Sequence, residues 1–336
     1  MDDKCMVSII CTAYNHEKYI RQTLESFLNQ KANFRFEILV HDDASTDGTA
    51  EIIREMAETY PDVIFPTLQT ENQYSKNPLI TELLVPKASG KYIAICEGDD
   101  YWVDSDKLQL QVDWLEEHQD YSACVHNTTV LNCETGNTVL YNQNDHVDRD
   151  FLLDDVLYGV GHAYHTSAIV ARHEYYSNLP DFFYISARHR VGDHPRAIWC
   201  AINGKIRYMS KAMSVYRQFS APSSWSVRVR EADYIENRLT GAIEMFKAVK
   251  KYVSDEEKKK VDNCILKYEW ELLQAKGEYA QMKEPPYDAL FKAASVKQRL
   301  WINFKLHCPR LFCLVMKLRG REGGIPDKLK NKYGLN

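Results

Sequence analysis

The chain has 336 residues, 45% hydrophobic and 26% charged, with a net charge of −5, which suits a globular protein with a full core and excludes a fibrous or largely disordered chain. A mild excess of acid gives no overall attraction to nucleic acid, so an anionic partner must be met by a local patch or a bound cation. Nine cysteines, an odd number scattered through apolar runs such as those holding Cys11, Cys96 and Cys124, read as reduced thiols of a cytoplasmic protein.

Met1 to Met6 is polar and acidic rather than basic and apolar, which argues against a signal peptide. No apolar run approaches the roughly 20 residues of a spanning helix. Val7-Ser8-Ile9-Ile10-Cys11-Thr12 is an apolar, β-rich run suited to burial on both faces of a parallel sheet. It ends in Ala13-Tyr14-Asn15, after which Ile20, Leu24, Phe27 and Leu28 recur at helical spacing, with Asn15 placed to cap that helix. Phe36 to His41 repeats the pattern, followed by the polar turn Asp42 to Gly48 and a helix marked by Ile52, Ile53 and Met56. Successive β-loop-α units predict a parallel sheet with helices on its faces. A third strand is expected over Val63 to Leu68, then a helix over Leu79 to Ala88 stopped by Gly90.

Tyr92 to Cys96 is an apolar strand that runs straight into Glu97, Asp99 and Asp100. Carboxylates crowded at a strand end repel one another unless a cation sits among them, and the expected ligand is Mg or Mn carrying a phosphate. The alternative is an acidic loop that caps the next helix. Ligands of open parallel sheets sit at the carboxyl ends of the strands, which places Tyr14-Asn15, Asp42-Asp43 and Glu97-Asp99-Asp100 on one rim. There is neither a Gly-x-Gly-x-x-Gly after the first strand nor a Gly-Lys-Ser/Thr loop, so a dinucleotide fold and a P-loop are unsupported.

Val7 to Asn15, the turn Asp42 to Thr49, and Gly90 to Ala94 leading into Glu97-Gly98-Asp99-Asp100-Tyr101-Trp102 resemble, jointly and in this order, the signatures of family 2 glycosyltransferases of the GT-A fold. The resemblance implies an α/β catalytic domain over residues 1–220, Rossmann-like, with a mainly parallel sheet flanked by helices. It also implies inverting transfer from a nucleotide-diphosphate sugar, with a lean to UDP, in the building of a bacterial surface polysaccharide. Thr12, Tyr14, Asn15, Asp43 and Asp99 would then meet the nucleotide, with the Tyr14 ring against the base and Asp43 accepting a hydrogen bond from it. The Asp-x-Asp-like motif falls on Glu97, Asp99 and Asp100. Glu97 stands where Asp is usual, so Asp99 and Asp100 are the expected cation ligands ahead of it.

Lys107 to Leu115 reads as an amphipathic packing helix and Ser122 to Leu131 as a strand whose His126 is a core residue rather than a ligand. Asn132 to Asp150 is polar and turn-like, an excursion on the acceptor side. Gly161 to Arg172 enters another strand, and its His165, Thr166 and Ser167 are candidates to touch the acceptor. Asp193, before the helical run Ala197 to Ile202, suits the positive end of a helix dipole. The resemblance implies that it is the general base that deprotonates the acceptor hydroxyl, while the cation offsets charge on the departing diphosphate. His194, its neighbour, is a candidate to orient Asp193 or to contact phosphate. Gly204 to Met209 and Met213 to Arg217 are strand-like; Arg207 and Arg217 are candidates for diphosphate contact or are surface arginines. Ser220 to Trp225 is a candidate lid.

From Arg228 to Lys283 the pattern is helical, with Ile235, Leu239, Ile243, Phe246 and Val249 on one stripe, so residues 221–336 read as a helical extension. Pro285-Pro286 breaks it. Lys297 to Arg321 then carries seven Lys/Arg and no acid, which reads either as a basic amphipathic segment on an anionic membrane surface or as a docked terminal helix pair. Cys308 and Cys313 have no matching second pair, so zinc is not expected. Expected partners are a nucleotide-sugar donor and a glycan or lipid-linked glycan acceptor, with no nucleic acid; expected placement is cytoplasmic, or peripheral at the inner face of the membrane. A sugar nucleotidyltransferase would need a Gly-rich basic loop where Ala13-Tyr14-Asn15-His16 stands. A catalytically silent nucleotide-sugar binding or assembly module would have lost Asp193, Asp99 or Asp100, and all three are present.

Overall fold

The computed structural model describes residues 4–76, 79–157, 163–189, 192–220, 232–319 and 325–333. The chain forms two compact units, residues 1–183 with 190–220 and residues 184–189 with 221–336.

The first unit is built on a sheet whose strands are β1 (Cys5–Ala13), β2 (Arg35–Asp42), β3 (Ile64–Leu68), β4 (Tyr92–Ile95), β5 (Tyr101–Trp102), β6 (Tyr121–Asn132), β7 (Thr138–Leu140), β8 (Arg149–Phe151), β9 (Val170–Arg172) and β10 (Lys205–Gln218). They lie in the order β3-β2-β1-β4-β9-β6-β10-β5, with β7 on β6 and β8 on β10. β3, β2, β1 and β4 pair in parallel, as their two-sided apolar runs require. From β9 onward the sheet is mixed: β9 is antiparallel to both β4 and β6, while β6 and β10 run parallel. The unit's helices are α1 (Ile20–Leu28), α2 (Thr49–Thr59), α3 (Lys107–Glu117), α4 (Leu153–Leu157), α5 (Glu174–Ser177) and α7 (Asp193–Asn203), while α6 (Asp181–Arg188) begins in this unit and continues into the second. Ile9, Cys11, Leu24, Phe27, Ile53, Ala94 and Leu108 meet in the core between the sheet and its helices.

Several local expectations are revised. The stretch Leu79 to Ala88 is not an α-helix but two 3-10 turns, Ile80–Leu83 and Val85–Lys87; Pro86, at the start of the second, lacks the N–H that a continuous helix would bond back to residue 82. Gly90 is not a helix stop. It lies where β4 meets β1, and a Cβ there would stand 2.4 Å from Ser8 N, so only glycine allows the two strands to close. Asn15 does not cap α1, whose N-cap is Tyr19. The polar stretch Asn132 to Asp150 contributes β7 and β8. The two strand pieces around Arg207 and Arg217 are one strand, β10, with register shifts between Met209 and Ser214.

The second unit contains α8 (Ala232–Val249), α9 (Asp255–Ala275), α10 (Asp288–Ala293), α11 (Val296–His307), α12 (Pro309–Leu318) and α13 (Asp327–Tyr333). Leu239, Ile243, Phe246 and Val249 of the expected stripe are buried. Ser254 with Glu257, and Ser295 with Gln298, form capping boxes that start α9 and α11; each satisfies two otherwise orphaned backbone donors. Tyr279, Met282, Ile302, Phe312, Cys313 and Leu329 close a small core. No helix among the described residues is long and apolar enough to cross a membrane.

Candidate active site

The carboxyl ends of β1, β2 and β4 are tied together by backbone. Thr12 O accepts from Gly98 N–H and Ala13 O from Asp43 N–H, both at 2.9 Å. Asn15, at φ 57°, accepts from Thr46 N–H at 2.8 Å through Oδ1 and donates its own N–H to Ser45 Oγ at 2.9 Å, so it joins the first loop to the acidic turn. Thr12 is half-buried and Tyr14 exposed on this rim. The Asp43 carboxylate accepts from Gln73 N–H (2.7 Å) and Tyr74 N–H (3.0 Å), with His41 Nε2 at 3.4 Å. It therefore anchors the loop after β3, and a carboxylate keeps further acceptor sites beyond those two bonds.

The acidic loop does not cap α3, which begins at Lys107 beyond β5. Its three acids have different surroundings. Asp100 is fully buried; its Oδ1 accepts from Arg217 N–H at 2.9 Å, while its Oδ2 has no hydrogen-bond partner among the described residues. Burial first, and the charges of Asp99 and Glu97 next, push its carboxyl well above the usual range. Glu97 is reached by solvent but crowded by protein atoms, and that crowding, with the charges of Asp99 and Asp193, lifts it to about 8. Asp99 instead turns its Oδ2 to Ser220 Oγ at 2.7 Å and to His16 Nε2 at 3.9 Å. Gly98 between them is favoured by close approach, since a Cβ would stand 2.9 Å from His16 Nδ1 and 3.0 Å from Ala13 Cβ.

Glu97, Asp100 and His165 present ligand-capable atoms all within 4.8 Å of one another. Two carboxylates and an imidazole, one carboxylate oxygen being buried and unpaired, fit a divalent cation. This group differs from the expected Glu97, Asp99 and Asp100 by exchanging Asp99 for His165. The His165 ring stacks on Tyr216 at 4.0 Å between centroids and meets Tyr141 edge-on at 5.7 Å. Its Nδ1 is bonded by Ser167, and burial lowers its pKa to about 4, so it is neutral. Thr166, half-buried, follows it in the 3-10 turn Thr166–Ala168.

Asp193 is the first residue of α7 and is exposed. Its carboxylate accepts from His194 N–H at 2.8 Å, and its charge acts on Glu97 across the cleft. His194 is buried, with Nε2 against Val156 O at 2.9 Å, which pins α7 to α4. One turn into the helix, Arg196 is paired with Glu82 and lies over the rings of Tyr176 and Phe183; it too fixes the helix that carries Asp193. Arg217 is buried between the rings of Tyr19 and Tyr101 and donates to the Asp99 carbonyl and to Gln22. Arg207 sits ten positions earlier on β10, roughly 30 Å away along an extended strand, and pairs with Asp148 and Asp150. It takes no part in the cleft. Of the candidate lid, only Ser220 falls among the described residues.

Three residues at the cleft escaped the sequence reading as site residues: His16, Tyr141 and Tyr216. His16 had a usable signal, a histidine directly after a strand-end loop on the expected rim. The other two are brought in by the chain directly after β7 and by β10, which no local pattern reveals.

Comparisons with known proteins agree with this architecture. The family model described as Glycosyl transferase family 2 matches residues 8–179. An uncharacterized protein of Mycobacterium tuberculosis is 34% identical over 218 residues, 63% of this chain and 58% of its own length. The chain thus spans somewhat over half of that relative. UDP-Glc:alpha-D-GlcNAc-diphosphoundecaprenol beta-1,3-glucosyltransferase WfaP of Escherichia coli is 37% identical over 112 residues, 33% of this chain and 41% of its own. Among solved structures, S. aureus TarS 1-349 in complex with UDP-GlcNAc aligns with a TM-score of 0.61 at 16% identity, covering 98% of this chain and 92% of that one. Mannosyltransferase PcManGT from Pyrobaculum calidifontis, in complex with GDP-Man and Mn2+, aligns at 0.54 and 19% identity, covering 99% and 88%. At these identities the solved structures establish a shared fold.

Proposed function

Because the chain belongs to glycosyl transferase family 2, we propose that it moves a sugar, with inversion, from a nucleotide-diphosphate donor, a UDP-sugar by preference, to a glycan or lipid-linked glycan acceptor in bacterial surface polysaccharide synthesis. The observation that carries this reading is the meeting of three polar strand ends, held by the Thr12–Gly98 and Ala13–Asp43 backbone bonds, with a cation-capable group at Glu97, Asp100 and His165. Asp193 faces that group from α7. The names of relatives support the glycan and lipid-linked part: WfaP is named for a diphosphoundecaprenol-linked acceptor and a UDP-linked donor. Nine free cysteines among the described residues favour a reducing compartment, hence the cytoplasm.

In this reading Thr12, Tyr14, Asn15 and Asp43 hold the nucleoside, with Tyr14 exposed and free to lie against a base. Asp99 contacts the donor from beside the cation site. Glu97, Asp100 and His165 hold Mn or Mg, which when bound offsets the negative charge of a leaving diphosphate. Asp193 Oδ accepts the proton of the acceptor hydroxyl as that oxygen attacks the anomeric carbon from the face opposite the diphosphate. The Glu82–Arg196 pair and the His194–Val156 bond keep α7, and with it Asp193, in place.

Calorimetric titration with UDP, GDP, CDP and dTDP, each with Mn and with a chelator, tests the donor half. Tight, cation-dependent binding of UDP is expected. Failure of every diphosphate to bind would overturn the reading, and preference for another nucleotide would overturn the donor assignment.

A further inference from the structure

We infer that α11 and α12 form a docking surface for an anionic phospholipid bilayer. α12 has two apolar faces. One, with Phe312 and Cys313, is buried in the core of the second unit. On the other, Leu311, Leu314 and Leu318 recur at the i, i+3, i+7 spacing of one helix face and are 51%, 52% and 78% exposed. At 3.6 residues per turn, Arg310 and Lys317 border that leucine stripe on one side and Arg319 on the other, and all three are exposed. α11 repeats the design on a smaller scale: Val296 and Leu300 are each 64% exposed, with Lys297 and Arg299 on their two flanks.

Charge distinguishes this surface from the rest of the unit. Elsewhere in the unit five lysines meet acids: Lys250–Asp262, Lys258–Asp255, Lys292–Asp288, Lys328–Glu278 and Lys330–Asp327. Residues 296–319 contain no Asp or Glu, and among the described residues Lys297, Arg299, Lys317 and Arg319 have no ion pair. An ordinary solvated face does not need three leucines in register. A second copy of the chain does not fit either, because a two-fold contact sets a patch against itself and would press these cations together. A nucleic-acid backbone would neutralise the cations but offers nothing to the leucines. A bilayer with anionic headgroups answers both: the leucines enter the acyl boundary while the flanking cations stay among the phosphates.

This inference does not depend on the catalytic reading, since lipid binding is measured without any transfer. The full chain is floated with vesicles of phosphatidylcholine alone and of phosphatidylcholine with phosphatidylglycerol, at low and high salt. Binding is expected only to the anionic vesicles and is released by high salt. Leu314→Ser with Leu318→Ser should lower partitioning at least tenfold. Lys317→Ser with Arg319→Ser should lower it roughly fivefold per cation. Thermal melts matching the parent confirm that both pairs fold. Absence of binding to every vesicle, equal binding to neutral vesicles, or variants that bind like the parent would each overturn the inference. So would a dimer in light scattering that the leucine pair dissolves while vesicles remain unbound.

Discussion

The backbone N–H of Arg217 donates to Asp100 Oδ1 at 2.9 Å, while Asp100 Oδ2 is buried with no hydrogen-bond partner among the described residues, the neutral His165 ring standing 3.8 Å from it. A buried, unpaired carboxylate oxygen is costly, and its neighbours Asp99 and Glu97 add to the cost. Asp100→Asn keeps the oxygen that Arg217 needs and removes the charge. Its expected effect is a fall of at least about 100-fold in Mn affinity by calorimetry, since loss of an outer-shell partner alone costs about 10- to 100-fold. Stability without a cation should be unchanged or raised by about 1 kcal/mol in urea unfolding. Equal Mn affinity in the two proteins would remove Asp100 from the cation site.

Asp193 has no bond to the acid cluster, only a shared cleft. Asp193→Asn should therefore slow transfer by roughly 10²- to 10⁴-fold, the usual range for a lost general base, while the donor affinity stays within about twofold. The check is a rate and a calorimetric titration on one preparation. Normal turnover would place the base elsewhere.

Arg217 is held by two tyrosine rings, a backbone carbonyl and a glutamine, so its side chain is spent on the fold. Arg217→Ala should cost about 2–3 kcal/mol in urea unfolding, the range for breaking a buried charged network. UDP affinity, corrected for the unfolded fraction, should change little. A large specific loss of UDP binding would instead make the guanidinium a diphosphate ligand.

Lys107 is fully buried at the start of α3, with Nζ 4.0 Å from the centre of the Trp102 ring and no hydrogen-bond partner among the described residues. Burial pulls its pKa down to about 7. The folded chain thus binds fewer protons than the unfolded one between pH 7 and the ordinary lysine pKa of about 10.4, and stability from this group rises with pH across that window. Lys107→Met removes the dependence. Its melting temperature should exceed the parent's most at and below pH 7, and the gap should shrink toward pH 10. A gap that is constant with pH would show that Lys107 does not titrate in this range.

Local signals accounted for the parallel strands and the rim. Val7 to Thr12, Phe36 to His41 and Tyr92 to Cys96 are apolar runs ending in polar turns, and a strand buried on both faces has no other simple pattern. Contacts distant in sequence were not legible. His165 joins the acids because β9 inserts antiparallel between β4 and β6, and nothing in its own neighbourhood reports that. Arg207 and Arg217 look alike as sequence, yet a single long strand sends them to opposite ends of the sheet. Gly90 looked like a helix stop because its constraint comes from Ser8, which becomes its neighbour only when β1 and β4 pair. The two 3-10 turns at Ile80–Leu83 and Val85–Lys87 are a different failure: apolar spacing suggested a helix where Pro86 disfavours one.

The Asp100–Arg217 bond joins residues 117 positions apart. At ribosomal rates of about 5–20 residues per second, an emerging chain carries its acidic loop for roughly 6–23 seconds before the strand that clamps it has been made. β1 to β4 can pair during that time, but β10 arrives last and lies beside both β6 and β5. The half of the cleft proposed for a nucleoside is thus drafted early in synthesis, and the half proposed for a cation is completed late. A nascent chain stalled before β10 would have the first without the second.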